Sequence, residues 1–421
     1  MDTPRKLIVG YDLGEEYSQI SCYSYKTFEP VSICAKEGDE FCPIPTVLCV
    51  KNDTKSWLYG EDAAACASIG EGIIVKHLLK KLRTGEEVEI FGQSFSGITL
   101  LEKFLRKSLT LIKNYFPTEP ITKLVITISG TDSVIVDGIY QALDLIGIEK
   151  DRAVVINHTG AYLYYALNQD RALWINDVGL FDFNESGLYY YQISINRRMK
   201  PIIAGVTKRE LTDNLSYSML KQKDINVSYA FLNIANTILY KQLISTLYFT
   251  GKGFEGEWAA ETIKSLCTGR RVFLGQNLYT KGACYAAKEL SGDQKFGDYI
   301  LLNDEMIKSS VGVCVYSDAT IKEVLLTEAA AHWYEVNSSI EVIPEGCAEL
   351  EIIIKNIMTK EVIREKLVVN HPPNRPNRVT RLEINLTFIN KTTAKIMVRD
   401  LGFGDLYPET GNSWEFSIEI E

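Results

Sequence analysis

Two stretches carry the residue types that could do chemistry. In Leu7 to Ser24, LIVGYDLGEEYSQISCYS, an apolar run ends at Asp12, and Gly14 gives the backbone freedom for a turn whose amides could face a phosphate. Asp-x-Gly alone is an ordinary turn, so the signal is weak by itself. A second stretch repeats the plan. Gly179 to Asn196, GLFDFNESGLYYYQISIN, runs into Asp182, turns at Gly187 and leaves through an alternating strand whose Gln192-Ile193-Ser194 echoes Gln19-Ile20-Ser21. Copies starting about 170 residues apart predict a duplicated domain with a cleft between its halves.

The elements around these hairpins alternate between strand and helix. The loop Phe41 to Thr46 leads to a short strand Val47 to Val50, and Tyr59 to Asp62 opens an alanine-rich helix. Ile73 to Arg83, IIVKHLLKKLR, spaces its apolar residues at helical intervals with a basic face. Gly97 to Tyr115 is a strongly amphipathic helix ended by Pro117 and Pro120. Strands at Lys123 to Gly130 and Ala153 to Asn157 alternate with helices at Val134 to Ile146 and Thr159 to Leu167. In the second half Arg197 to Asp224 reads as polar connecting structure and Tyr229 to Ser245 as helix. Leu247 to Thr250 reads as a strand ending in Gly251-Lys252-Gly253-Phe254, and Lys281 to Leu290 as a helix. This alternation predicts an α/β fold.

The character changes near Gly312. Beyond it come only short alternating segments, separated by turns such as Pro344-Glu345-Gly346 and the proline-rich His371 to Pro376, which predicts an all-β sandwich. Val324-Leu325-Leu326 and the alanines after Glu328 read as the joint. The expected organisation is a first lobe over 1–170, a reduced second lobe over 171–312 and the sandwich over 313–421.

Composition narrows the function classes. A chain of 421 residues with 46% hydrophobic and 24% charged content is globular, not disordered. Its net charge of -9 opposes non-specific nucleic-acid binding, and the one basic run, Arg375, Arg378 and Arg381, reads as a solvated loop. Nine scattered cysteines without a Cys-x-x-Cys pair read as buried thiols in a reducing compartment. MDTPRKLIVGYDLG enters a strand directly, without signal-peptide features, and no apolar run reaches about 18 residues, so no membrane partner and a cytoplasmic location are expected.

Taken together, the motifs resemble the nucleotide-binding domain of the actin, sugar-kinase and DnaK superfamily. The order of parts is most similar to a DnaK-type, heat-shock-protein-70-like chaperone. Asp12-Leu13-Gly14 with Tyr17-Ser18 is similar to the first phosphate loop, Val75 to Leu79 to the helix with the family's catalytic lysine, and Val154 to Asn157 to the first connecting segment. Asp182 stands where the second phosphate loop begins, Gly251 to Phe254 is similar to the adenosine-contacting loop, and Lys281-Gly282-Ala283 to the second connecting helix. The tail resembles the peptide-binding β-sandwich of these chaperones.

The resemblance implies a duplicated ribonuclease-H-like, actin-like ATPase fold that takes ATP and magnesium. Asp12 and Asp182 would hold the metal through water, Lys76 would stabilise the transferring phosphoryl group, and Gly14, Gly187, Gly251 and Gly253 would cradle the nucleotide. Several positions depart from the family pattern. Glu15 and Glu16 replace two hydroxyl residues, Asn184-Glu185-Ser186 replaces a glycine run, Tyr189 replaces an aspartate and His158 a glutamate, and no helical lid follows the sandwich. Carboxylates about 4 Å from a phosphate charge repel it by about 4 kcal/mol at an effective dielectric near 20. The expectation is therefore a hydrolysis-deficient pseudo-ATPase that binds a protein or extended peptide through its C-terminal part. The alternatives are an active ATP-dependent chaperone and an actin-like filament protein.

Overall fold

The computed structural model of the chain describes residues 6–34, 42–222, 226–345, 348–369 and 375–420. Met1 to Arg5, Phe41, Gly346 and the His371 to Asn374 part of the proline-rich stretch, all named above, and Cys347, one of the nine cysteines, lie outside these residues. The chain forms two compact units, Met1–Asp304 and Glu305–Glu421. It is a mixed α/β protein with a C-terminal all-β region.

Two six-stranded sheets organise the first unit. In one, the order is Ala153–Asn157, Ile121–Ile128, Leu7–Leu13, Tyr17–Ser24, Glu29–Ser32, with Ile44–Pro45 paired on Tyr17–Ser24. In the other it is Arg271–Leu274, Ile244–Thr250, Asp177–Asn184, Gly187–Asn196, Ile202–Glu210, Tyr299–Leu302. The strand bearing each aspartate is antiparallel to its hairpin partner and parallel to the strand on its other side. The register agrees as well: Asp12 lies between Gln19 and Thr127, and Asp182 between Tyr189 and Thr250. Both aspartate strands are apolar over nearly their whole length because both faces are covered.

The same register corrects the Gln-Ile-Ser echo. Gln19 stands opposite Asp12, whereas Gln192 stands opposite Gly179, so the two copies of the tripeptide are not equivalent. Strand equivalence is set by backbone pairing, which the tripeptide match does not track.

Several helices start at a capping side chain. Ser96, Asp132 and Asn157 accept the amides of Thr99, Ile135 and Gly160 at the heads of Gly97–Ser108, Ser133–Leu145 and His158–Asn168. The expected helix over Ile73 to Arg83 is split. Gly72–Val75 is a strand paired with Leu48–Lys51, His77 adopts φ 57°, and helix begins only at Leu78. The β-branched Ile73, Ile74 and Val75 favour the sheet, and the apolar spacing of the segment reads equally well as two short elements. Part of Arg197 to Asp224 is likewise a strand, Ile202–Glu210, whose polar second half is exposed. The helix expected to reach Ser245 stops at Leu239, and Ile244–Thr250 is already strand.

The second unit begins at Glu305, not after Gly312, because Ser309–Ser317 pairs inside it. One sheet runs Thr320–Thr327, Ser309–Ser317, Ala348–Asn356, Val362–Val369; the other runs Ser338–Val342, Leu382–Asn390, Thr393–Asp400, Ser413–Glu419. Val311, Val313, Ile352 and Leu367 of the first share one core with Leu382, Ile384, Ile396 and Val398 of the second. Val324-Leu325-Leu326 is therefore an edge strand of this unit and not a joint.

The three arginines are not a solvated basic loop. Arg375 forms a buried ion pair with Asp400, while Arg378 and Arg381 meet Glu345 and Glu341 at the surface. The cysteine reading also changes: Cys34 and Cys42 form a disulfide, Cys267 is exposed and Cys314 half-buried. Cys22, Cys49, Cys66 and Cys284 are the buried thiols expected, and burial pushes Cys284 up to about 12. Among the described residues no helix is long and apolar enough to cross a membrane.

Candidate functional site

Asp12 and Asp182 lie near the C-terminal ends of strands whose neighbours run in the same directions, and a chain of side chains joins them. Asn157 caps the His158–Asn168 helix, its Oδ1 accepting the Gly160 amide at 2.9 Å, and so fixes His158 at the first helical position. His158 Nε2 lies 2.8 Å from Asp12 Oδ1. Its ring stacks on Tyr279, centroids 3.9 Å apart and planes within 9°. Tyr279 is on the Leu278–Lys288 helix, and its hydroxyl donates to Asp182 Oδ2 at 2.6 Å. Asn184 Nδ2 donates to the other oxygen, Asp182 Oδ1.

Electrostatics explain how the buried end is held. Burial pushes the Asp182 carboxyl above its usual value, an effect the Tyr279 hydroxyl and the nearby His158 counter only in part. Burial and the Asp182 charge drive the Tyr279 phenol well above its ordinary value, so it stays protonated and donates. Asp12 and His158 are each about one-sixth exposed at the side chain, which makes theirs the more accessible end.

The two helices reach the aspartates because their backbones nearly touch. A Cβ on Gly282 would sit 2.0 Å from the Ala161 carbonyl oxygen, and one on Gly10 would sit 2.3 Å from the Cys284 amide nitrogen. Without side chains at these positions, both helices pack at the base of the site. Ser21 Oγ adds a bond to the Thr280 carbonyl at 2.8 Å.

The glycines named from sequence are used by the protein itself. A Cβ on Gly14 would sit 2.3 Å from the Tyr17 carbonyl oxygen, one on Gly187 2.1 Å from Thr212 Oγ1, and those on Gly251 and Gly253 2.3 Å and 2.5 Å from Phe183 atoms. In the loop after Thr250, the Gly251 amide donates to Gln276 Oε1 at 3.0 Å and the Lys252 amide to Asn184 Oδ1 at 3.2 Å. Gln276 also returns a bond from Nε2 to the Gly251 carbonyl, and its own carbonyl accepts Gln19 Nε2 at 2.9 Å. The Lys252 ammonium lies 3.7 Å from the centre of the Tyr17 ring.

Residues 29–304 match a family described as family of unknown function (DUF5716), C-terminal. The chain belongs to the DUF5716 family. Residues 306–420 are similar to a second description, domain of unknown function (DUF8552), so the break between the two matches falls where the two compact units divide. No curated protein matches the chain. The DUF5716 match contains Lys76, Asp182, Gly187, Gly251 and Gly253, whereas Asp12 and Gly14 precede it.

Lys76 is exposed in the turn between Gly72–Val75 and the helix that starts at Leu78. Its neighbour His77 approaches Glu15, Nδ1 to Oε1 3.4 Å. Glu16 and Glu185 are exposed at their turns. Tyr189 stands opposite Asp182, with its ring under the Lys208 ammonium at 4.6 Å. The residue that sequence reasoning missed is Tyr279. It is separated from Asp182 by 97 positions, and its one local signal is its place a turn before Gly282. Among the described residues no group of three or more His, Cys, Asp or Glu side chains converges as a metal site.

Proposed function

We propose that the chain is a divergent DnaK-like protein: a duplicated ribonuclease-H-like unit that does not turn over nucleotide, joined to a β-sandwich that binds a protein or an extended peptide. The finer fold reading is supported by the shared strand order, directions and aspartate register of the two large sheets. The observation that carries the function is the Asp12–His158–Tyr279–Asp182 chain. Both Asp182 oxygens and one Asp12 oxygen already have side-chain partners, so the carboxylates that would hold magnesium through water are engaged. The amides of Gly251 and Lys252, in the loop similar to the adenosine-contacting one, are also occupied by protein side chains. These residues do not fit a magnesium–nucleotide complex.

Binding of an extended segment is the activity left to the scaffold. The C-terminal unit has open strand edges at Thr320–Thr327 and Val362–Val369, which offer main-chain partners to another strand. The test is fluorescence anisotropy of a labelled extended apolar peptide against the full chain, with and without Mg-ATP. The expected result is saturable micromolar binding unchanged by nucleotide. Absence of binding at high micromolar protein would remove the binding-module reading, and an affinity that shifts with Mg-ATP would favour the active chaperone.

A further inference from the structure

The two open edges of one C-terminal sheet are complementary to each other. Along Thr320–Thr327 the core takes Val324 and Leu326, so Ile321, Glu323 and Leu325 lie on the outer face. Along Val362–Val369 the core takes Leu367 and Val369, which leaves Val362, Arg364, Lys366 and Val368 on that same outer face. Ile321, Leu325, Val362 and Val368 are each at least half exposed, at 77%, 50%, 54% and 59%. One edge is thus apolar–acid–apolar and the other apolar–basic–basic–apolar; across the same outer face Glu323 meets Lys355, Arg364 meets Glu351 and Lys366 meets Glu349, and a neighbouring edge adds a second partner to each.

The backbone at each edge points the right way. Ser317 and Thr320 flank the two-residue turn Asp318-Ala319, both with positive φ, so they form a hydrogen-bonded pair. Alternation then turns the N–H and C=O groups of Ile321, Glu323 and Leu325 away from the sheet. On the other edge the Asn356 amide bonds the Glu361 carbonyl at 3.0 Å, and the same alternation turns those of Val362, Arg364, Lys366 and Val368 outward. Neither edge strand contains proline. By contrast, Glu29–Ser32 at the edge of a sheet in the first unit carries Pro30, which has no amide hydrogen to offer.

We propose that the occupant of the Thr320–Thr327 edge is the Val362–Val369 edge of a second copy of this chain, giving an open-ended, head-to-tail continuation of the sheet. Each of the four strands is antiparallel to its neighbour, so the first and last run in opposite directions and a translated copy meets the first edge antiparallel. Placing Glu323 opposite Lys366 sets Ile321 opposite Val368. Pairing like edges instead sets Glu323 against Glu323, or Arg364 against Lys366, and like charges opposite one another are destabilising. Charge therefore selects the head-to-tail arrangement over a two-fold dimer. The inference needs only these edges, the same ones offered above to an extended peptide, so a second copy and a peptide compete for them, and it is independent of the reading of Asp12 and Asp182.

Sedimentation velocity of the full chain over a concentration series tests it. The expected result is a growing set of species larger than the monomer, weakened by high salt. Glu323→Lys alone, and Arg364→Glu with Lys366→Glu, should each remain monomeric, whereas an equimolar mixture of the two should assemble again, because each restores the other's complement. Ile321→Lys, at an exposed side chain making no ion pair, should block assembly without touching the bond between Lys355 and Glu323. A wild-type chain that stays monomeric at about 100 µM would overturn the proposal while leaving the peptide-binding test intact. Ile321→Lys and charge variants that assemble like wild type would also overturn it.

Discussion

Arg375→Met should cost the C-terminal unit about 3–5 kcal/mol, measured by urea unfolding, because it leaves a carboxylate buried without its cation. Asp400 is fully buried and Arg375 nearly so, and the pair is bidentate, Nη1 to Oδ1 2.8 Å and Nη2 to Oδ2 3.0 Å. The Gly402 amide and the Thr410 amide and hydroxyl complete the shell at 2.7 to 3.0 Å. Burial alone would raise the Asp400 carboxyl, but Arg375, Thr410 and Gly402 outweigh it and hold the group at about 2. The folded value lies below the unfolded one, so the stabilisation is complete above about pH 4 and is lost as pH falls through 2. The wild-type unit should therefore lose about 2 kcal/mol over that window, and Asp400→Asn should lack this acid dependence. Replacing both partners, Arg375→Met with Asp400→Leu, should not recover the loss, because the Gly402 and Thr410 amides and the Thr410 hydroxyl then lose their acceptor. An Arg375→Met protein within about 1 kcal/mol of wild type would show that the pair is not closed to water.

Gly282→Ala should destabilise the first unit by about 3 kcal/mol, the upper range for overpacking, because what the new Cβ meets is backbone. It would sit 2.0 Å from the Ala161 oxygen and 2.7 Å from its carbonyl carbon, so one helix must move bodily. Tyr279 lies about one turn earlier on the moving helix, so its stack on His158 should loosen with it. Gly275→Ala is the control: its Cβ would meet nothing nearer than 4.0 Å, and the change should stay within about 0.5 kcal/mol. Thermal melting of both variants decides, and equal melting temperatures would contradict the close crossing.

What could be read from the sequence was local. Asp12 and Asp182 stood out because an apolar run, an acid, a glycine turn and an alternating strand lie within one stretch, and the register places them equivalently. Ala153–Asn157 and the helix after it are legible as a strand and a helix, whereas the Asn157 cap that starts that helix shows only in the structure. Ile73 to Arg83 was misread because apolar spacing cannot separate one helix from a strand and helix divided at His77. Ile202–Glu210 was missed because its outer half is solvated and polar in sequence. Beyond its place a turn before Gly282, Tyr279 has no local mark; its meaning comes from contacts with His158 and Asp182, more than ninety positions away. The acid–base complementarity of the two C-terminal edges likewise depends on which residues a strand turns outward, which pairing fixes and composition does not.

The engagement of Asp12 and Asp182 is tested most directly by isothermal titration of the full chain with Mg-ATP, with released phosphate followed in the same samples. With Asp182 held by Tyr279 and Asn184 and Asp12 by His158, the expected result is no saturable heat at millimolar nucleotide and no phosphate above the blank. Micromolar binding accompanied by turnover would contradict the account, because it would require His158 and Tyr279 to give up both aspartates to a bound metal.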